Sequence, residues 1–171
     1  MTISRYTDII ERLERAEGPD REMDAEIMFD LFAKPVGKKD DGGPSGYLWP
    51  EDNPSWSFGI RFPGKGREWF TRARAKVDGE TLLIERDGAL VLMNALRAPK
   101  LTASLDAAVA LVERMLPDHD WSLFADNGEA IAGVMPASED GCDEAISHGA
   151  TPAIALLIAL FRAMEAQESG E

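Results

Sequence analysis

The feature that most constrains this chain is its last strongly patterned segment. After Thr151-Pro152 every residue from Ala153 to Phe161 is apolar, and Ala163 and Met164 extend the run past Arg162. A hydroxyl side chain followed by proline is a favoured opening for a helix, the first capping free amide groups and the second fitting the first helical position. A helix that is apolar on nearly every side has to be surrounded. Core packing is therefore its expected use; the alternative use is a subunit interface, which would make the protein a homo-oligomer. The run is far shorter than the roughly 18 to 20 apolar residues that cross a bilayer. The N-terminal MTISRYTDIIERLERAEG mixes charge with apolar residues and lacks the unbroken apolar stretch of a signal peptide. Neither a membrane anchor nor secretion is expected.

The elements that would surround this helix can be read upstream. Ile3, Tyr6, Ile9, Ile10 and Leu13 recur at helical spacing and predict an amphipathic helix, ended by Gly18-Pro19, with Asp20 placed to cap a second. In that second helix Met23, Ile27 and Leu31, with Met28, Phe29 and Phe32, form a broad apolar face. Residues from Lys34 to Pro54 read as a long surface loop. Trp56, Phe58, Ile60 and Phe62 then alternate with Ser57, Gly59 and Arg61, the period of a strand with one apolar face, and Pro63-Gly-Lys-Gly66 makes a turn. Thr81 to Glu85 and Ala89 to Met93 flank an Arg86-Asp87-Gly88 tip and predict a hairpin.

Ser104 is a suitable cap for a helix carrying Leu105, Val109, Val112 and Met115, which Pro117 ends. Trp121 to Ala125 and Glu129 to Met135, joined through Asp126-Asn127-Gly128, predict a second hairpin, and Ser138 to Ala150 reads as a loop. The order of helices and hairpins lacks the regular alternation of a parallel α/β fold. The expected class is α+β, with a mostly antiparallel sheet covered by helices. At 171 residues a single domain over 1–171 is expected.

Charge narrows the function classes. A formal net charge of -13 works against non-specific attraction to nucleic acid or anionic lipid. Cys142 is the only cysteine, so no intramolecular disulfide can form, and with only His119 and His148 beside it a structural zinc site lacks ligands. A reducing cytoplasm is the expected location. No cofactor is expected: the glycine pairs at 42–43 and 64–66 do not match a phosphate-binding loop, and no acidic pair has the spacing of a calcium loop.

Four stretches together carry a family resemblance: Asp20 to Ile27 (DREMDAEI), Pro99 to Glu113 (PKLTASLDAAVALVE), Trp121-Ser-Leu123, and Ala150 to Leu160 (ATPAIALLIAL). They resemble the phage ABA sandwich domain family, small proteins of phages, prophages and related bacterial genomes. The resemblance covers Asp20–Ala33 and Ala98–Met164, or 20–33 and 98–164 in numbers. It implies an α-β-α sandwich in the cytoplasm of a bacterial host, and it names folding signatures rather than catalytic ones. The segment 34–96 departs from the family pattern as a strand-rich insertion after the second helix, and added strands on a shared scaffold commonly carry specificity.

That insertion holds the densest basic cluster: Arg61, Lys65, Arg67, Arg72, Arg74 and Lys76. If extended, Arg72, Arg74 and Lys76 share one face. Guanidinium forks could hold phosphate groups, with Trp56 or Trp69 stacking on a base; cations solvating an exposed strand are the plainer explanation. The candidate ligand-binding residues are Arg61, Arg67, Trp69, Arg72, Arg74 and Lys76.

Cys142, Asp143 and His148 sit in one predicted loop, and a thiol near an imidazole could form a nucleophile and base, but no surrounding motif supports a small hydrolase. His119, between Asp118 and Asp120, reads as a solvated turn residue, and Asp40-Asp41 as solvated loop acids. The expected function is that of a non-enzymatic phage- or prophage-type accessory protein that binds a host protein or a small phosphorylated ligand. A nucleic-acid-binding module is the alternative.

Overall fold

The computed structural model describes residues 6–48, 57–66, 81–94, 98–137 and 145–170. Among these residues are four helices and two antiparallel sheets, of five and three strands, so the α+β class holds. The chain divides into two compact units. One is made of Met1–Asp20 and Lys100–Glu171, the other of Arg21–Pro99.

The discontinuous unit contains α1 (Thr7–Glu14), α3 (Leu105–Met115), α4 (Pro152–Gly170) and the strands β6 (His119–Asp126), β7 (Glu129–Pro136) and β8 (Ala145–Gly149), in the sheet order β6-β7-β8. Its centre is α4. Thr151 Oγ1 accepts a hydrogen bond from Ile154 N at 3.2 Å, the predicted cap. From Ile154 to Phe161 the helix is fully buried, because β7 and β8 pack against it along with α1 and α3. Each of Leu156, Leu157, Ile158, Leu160 and Phe161 contributes about 1.5–3 kcal/mol by leaving water. The sheet meets this helix through small residues: Ala130 and Ala132 on β7, Ser147 and Gly149 on β8, and Ala155 and Ala159 on α4.

Ser147 is fully buried and its hydroxyl donates to the Ala155 carbonyl at 2.5 Å. At Gly149 a Cβ would lie 2.5 Å from Ala155 N and 2.8 Å from Ala155 Cα, so only glycine lets the two backbones approach this closely. Tyr6 sets its ring 5.6 Å from that of Phe161, while Thr7 donates to Glu165 at 2.8 Å and Arg162 pairs with Glu14 at 2.6 Å, tying α1 to α4.

The expected Asn-Gly hairpin forms as β6 and β7 with continuous register from His119–Pro136 to Asp126–Glu129. Asn127 and Gly128 both have positive φ, 49° and 91°, as a two-residue turn matched to strand twist requires. Ser104 caps α3, accepting from Ala107 N at 3.3 Å. The buried face of α3 is Ala108, Leu111 and Val112, so of the expected stripe only Val112 is fully in the core. The predicted loop from Ser138 to Ala150 requires correction, since Ala145–Gly149 is strand β8. Short alternating AISHG carries too few β-formers to read as a strand, and its pairing with β7 supplies what propensity lacks.

The contiguous unit contains α2 (Arg21–Phe32), β1 (Lys34–Val36), β2 (Gly46–Leu48), β3 (Ser57–Pro63), β4 (Thr81–Arg86) and β5 (Ala89–Asn94), in the sheet order β1-β2-β3-β5-β4. The β4–β5 hairpin turns at Asp87 (φ 49°) and Gly88 (φ 68°), as expected. The long surface loop expected over 34–54 is in part a further hairpin: β1 and β2 pair from Lys34–Leu48 to Val36–Gly46. Positive φ at Gly37 and Gly42 and a bond from Ser45 Oγ to the Val36 carbonyl shape the connection, which a composition of Pro, Gly, Asp and Lys disguises as irregular coil.

A second correction concerns β3. Its register sets Arg61 beside Val91, and Val91 beside Ile84 on β4, on the face that carries Tyr47 from β2. α2 covers this face, with Phe29 edge-on to Tyr47 at 4.5 Å. Arg61 is consequently 6% exposed and Ile60 46% exposed, the reverse of what the apolar alternation predicts. Alternation identifies two faces, and the neighbouring strands and helix decide which is covered. On the other face Phe62 and Leu92 pack against buried Leu83 and Leu90.

Seven consecutive residues of α2, Met23 to Phe29, are buried, including Asp24 and Glu26. Asp24 is paired with Arg21 at 2.8 Å, and Arg21 also donates to the carbonyls of Ala98 and Pro99, at 2.9 and 3.1 Å, joining the two ends of the unit. In the other unit Thr102 does the same, its hydroxyl accepting from Asp20 N at 2.8 Å and lying 3.2 Å from the Asp20 carbonyl.

Candidate functional site

Of the basic cluster, Arg61 is described and its guanidinium is engaged. Nη1 lies 2.8 Å from Asp41 Oδ2 and 3.1 Å from Oδ1, in a space that Gly43 leaves open, since a Cβ there would meet Nη1 at 2.5 Å. The Arg61 hydrogen bond, opposed by partial burial, holds the Asp41 carboxyl below its ordinary range. Asp41 Oδ1 also accepts from Gly43 N at 3.2 Å. Asp41 therefore closes the β1–β2 connection instead of only solvating it.

Arg67, Trp69, Arg72, Arg74 and Lys76 lie outside the described residues, as do Trp56, Cys142 and Asp143. Lys65 is exposed beyond the Gly64 turn.

The two histidines both sit on strands. His119 opens β6 half-buried, its Nε2 3.1 Å from Gln167 Nε2 of α4, so it is not a solvated turn residue. His148 is exposed on β8, with Nδ1 3.5 Å from Glu129 Oε2. It belongs to a strand ladder and not to the predicted loop.

A cationic centre that the sequence did not single out is Arg86. Its guanidinium is held by Asp30, at 2.9 and 2.6 Å, with Glu26 at 3.5 Å. The Asp30 hydrogen bonds, assisted by the negative charge of both acids, push the Arg86 pKa above its already high ordinary value. This arrangement anchors α2 to β4 with an always-charged fork.

The arrangement best suited to meeting another molecule is the three-stranded sheet. α4 packs on β7 and β8 and reaches β6 at His119 through Gln167; Trp121, on the same face as His119, is 38% exposed, and Phe124, on the other face, is 61% exposed. Register places Phe124 beside Ile131, and Ile131 beside His148; Ile146, 49% exposed, is on the same face of β8. Around Phe124 the charges are acidic, while on the far strand Arg162 donates to the Ile146 carbonyl at 2.5 Å. Between Arg114 and Arg162 the sequence has no lysine or arginine, while Asp120, Asp126 and Glu129 are exposed around Phe124. Two signals could have located this surface from sequence, namely the cation-free interval and the hairpin register that sets Phe124 opposite Ile131. The helix that decides which face of the sheet is covered could not be placed that way.

Among the described residues no group of three or more histidine, cysteine, aspartate or glutamate side chains is arranged to hold a metal ion, and no helix is long and apolar enough to cross a membrane. Searches against family models, curated proteins and solved structures find no match.

Proposed function

We propose that the chain is a non-enzymatic accessory protein of the phage or prophage type, acting in the bacterial cytoplasm by binding a host protein through the open side of its three-stranded sheet. One observation carries the reading. Phe124 and Ile146, 61% and 49% exposed, share a sheet face with the half-buried Ile131 between them, and exposed apolar surface on a sheet with carboxylates around it is the composition of a recognition surface. The family resemblance supports the same reading, because the motifs that carry it are structural. A phosphorylated ligand has less support from the described residues, since the one described arginine of the basic cluster is paired with Asp41.

Native mass spectrometry of the untagged protein, purified gently from its own cells, tests the proposal. Wild type is expected to carry a stoichiometric protein partner, and Phe124→Ser with Ile146→Ser, checked for folding by circular dichroism, is expected to lose it. Retention of the partner by the double variant, or a wild-type protein that is empty under crosslinking as well, refutes the reading.

A further inference from the structure

We infer that β6 receives an extended, cationic segment of the partner protein as an added strand of the sheet, a deepening that rests on the protein-binding reading above. Among the described strands β6 pairs with β7 alone. A strand at a sheet edge directs about half of its backbone N–H and C=O groups outward, ready to pair with another chain. Proteins that avoid such pairing blunt the edge with charged side chains, above all lysine, or with proline or a bulge. The edge His119–Asp126 (HDWSLFAD) has no lysine, proline or bulge and keeps unbroken register with β7 over its whole length; its charges are the carboxylates of Asp120 and Asp126, which repel an acidic strand and leave a cationic one admissible.

Side chains then restrict what the added strand can be. Asp120, Phe124 and Asp126 are on one face of β6, with Trp121 and Leu123 on the other. An incoming strand would set its residues about 4.5–5.5 Å from those directly opposite. Positions opposite Asp120 and Asp126 favour lysine or arginine, the position opposite Phe124 favours an apolar side chain, and the opposite face offers Trp121 as a surface for aliphatic stems or a guanidinium plane. The absence of any lysine or arginine between Arg114 and Arg162 leaves no nearby cation in the sequence to weaken that preference.

A second copy of this chain fits poorly. Antiparallel pairing of two β6 strands about Leu123 puts Asp120 opposite Asp126 at both ends, between molecules each of net charge -13.

The test uses the full-length protein and an acetylated, amidated peptide, Lys-Thr-Ile-Thr-Thr-Val-Lys, with the same peptide N-methylated at odd or at even positions and a version with glutamate for lysine. Amide resonances are followed by NMR. The lysine peptide is expected to shift the amides of His119–Asp126 most, and one of the two methylation patterns is expected to abolish binding by removing the donors that face the edge. Asp120→Lys combined with Asp126→Lys should weaken the lysine peptide by about tenfold and bring in the glutamate peptide instead. Because the exchange of preference is a gain, a merely misfolded variant cannot produce it. Binding that survives both methylation patterns, yet is lost in Phe124→Ser, removes the added strand and leaves the apolar-face reading in place. Shifts centred away from β6, or indifference to charge reversal, overturn the inference; no binding by any peptide, with the native partner still lost in the Phe124→Ser, Ile146→Ser protein, overturns it without touching the broader proposal.

Discussion

Replacing Gly149 with alanine adds one methyl group at the closest approach of β8 to α4. The φ angle of Gly149 lies outside the left-handed region, so alanine meets no conformational penalty and the cost is steric. The new Cβ would stand 2.5 Å from Ala155 N, whereas ordinary contact begins near 3.4 Å, so strand and helix must separate by about 0.9 Å. Neither obstacle is the end of a flexible side chain; both are backbone. Overpacking of this kind costs about 1–3 kcal/mol, and a gap of 0.5–1 Å opened along the rest of the contact forfeits roughly a quarter to a half of its dispersion energy.

The upper part of that range applies, less about 0.4–1 kcal/mol for the lower entropy of the unfolded alanine chain. The net destabilisation is about 1.5–2.5 kcal/mol, a fall in Tm of about 3–10 °C for a chain of this length. Urea and thermal unfolding followed by far-ultraviolet circular dichroism measure it. Gly18→Ala is the internal control, since nothing lies within 4 Å of a Cβ there, and it should be neutral or slightly stabilising. If Gly149→Ala unfolds no earlier than Gly18→Ala, the argument that small residues set the helix–sheet distance is wrong.

Three further outcomes follow from the same structure. Arg86→Met leaves the buried Glu26 and the partly buried Asp30 without their cation and should cost about 2–3 kcal/mol in urea unfolding, with Glu26→Gln recovering part of it in the double variant. The Asp41 carboxyl, followed by carbon NMR, should titrate below 3.8 and return towards that value in Arg61→Gln; a depressed folded pKa means the pair stabilises above the unfolded value and is lost as pH falls through the folded one, so the loop at 37–45 should lose this support only in acid. Joining Asp20 to Lys100 with a short Gly/Ser linker, in place of Arg21–Pro99, should give a cooperatively folded unit with dispersed amide resonances, because Thr102 already binds both backbone groups of Asp20; a molten spectrum would refute the division into units.

What could be read from sequence depended on whether the deciding interaction was local. Thr151-Pro152, Ser104 and the Asp87-Gly88 and Asn127-Gly128 turns are short-range chemistry, and each does in the fold what its residue types predict. β1, β2 and β8 were missed because three- to five-residue strands of weak propensity owe their existence to partners distant in sequence. Arg61 shows the same limit at the candidate site. As one cation in a basic run it reads as a phosphate contact, and only the fold reveals Asp41 across the loop. Phe124 escaped notice for the opposite reason, since an aromatic in a hairpin reads as core until the helix is seen to pack on the other face of the sheet, against Ala130, Ala132, Ser147 and Gly149.

The buried helix also has a history within each molecule's synthesis. α4 is the last of the elements that pack together with it, while α1 is the first, and Arg21–Pro99 is interposed between them. At roughly 5–20 residues per second, α1 and the small-residue face of the sheet wait for α4 to emerge, α1 for roughly 7–30 s, while the contiguous unit has all its strands in hand early. For that interval Ile9, Ile10 and Leu13 have no permanent cover. A nascent chain of this protein should therefore be a client of ribosome-associated chaperones through its first helix, released when its closing helix arrives.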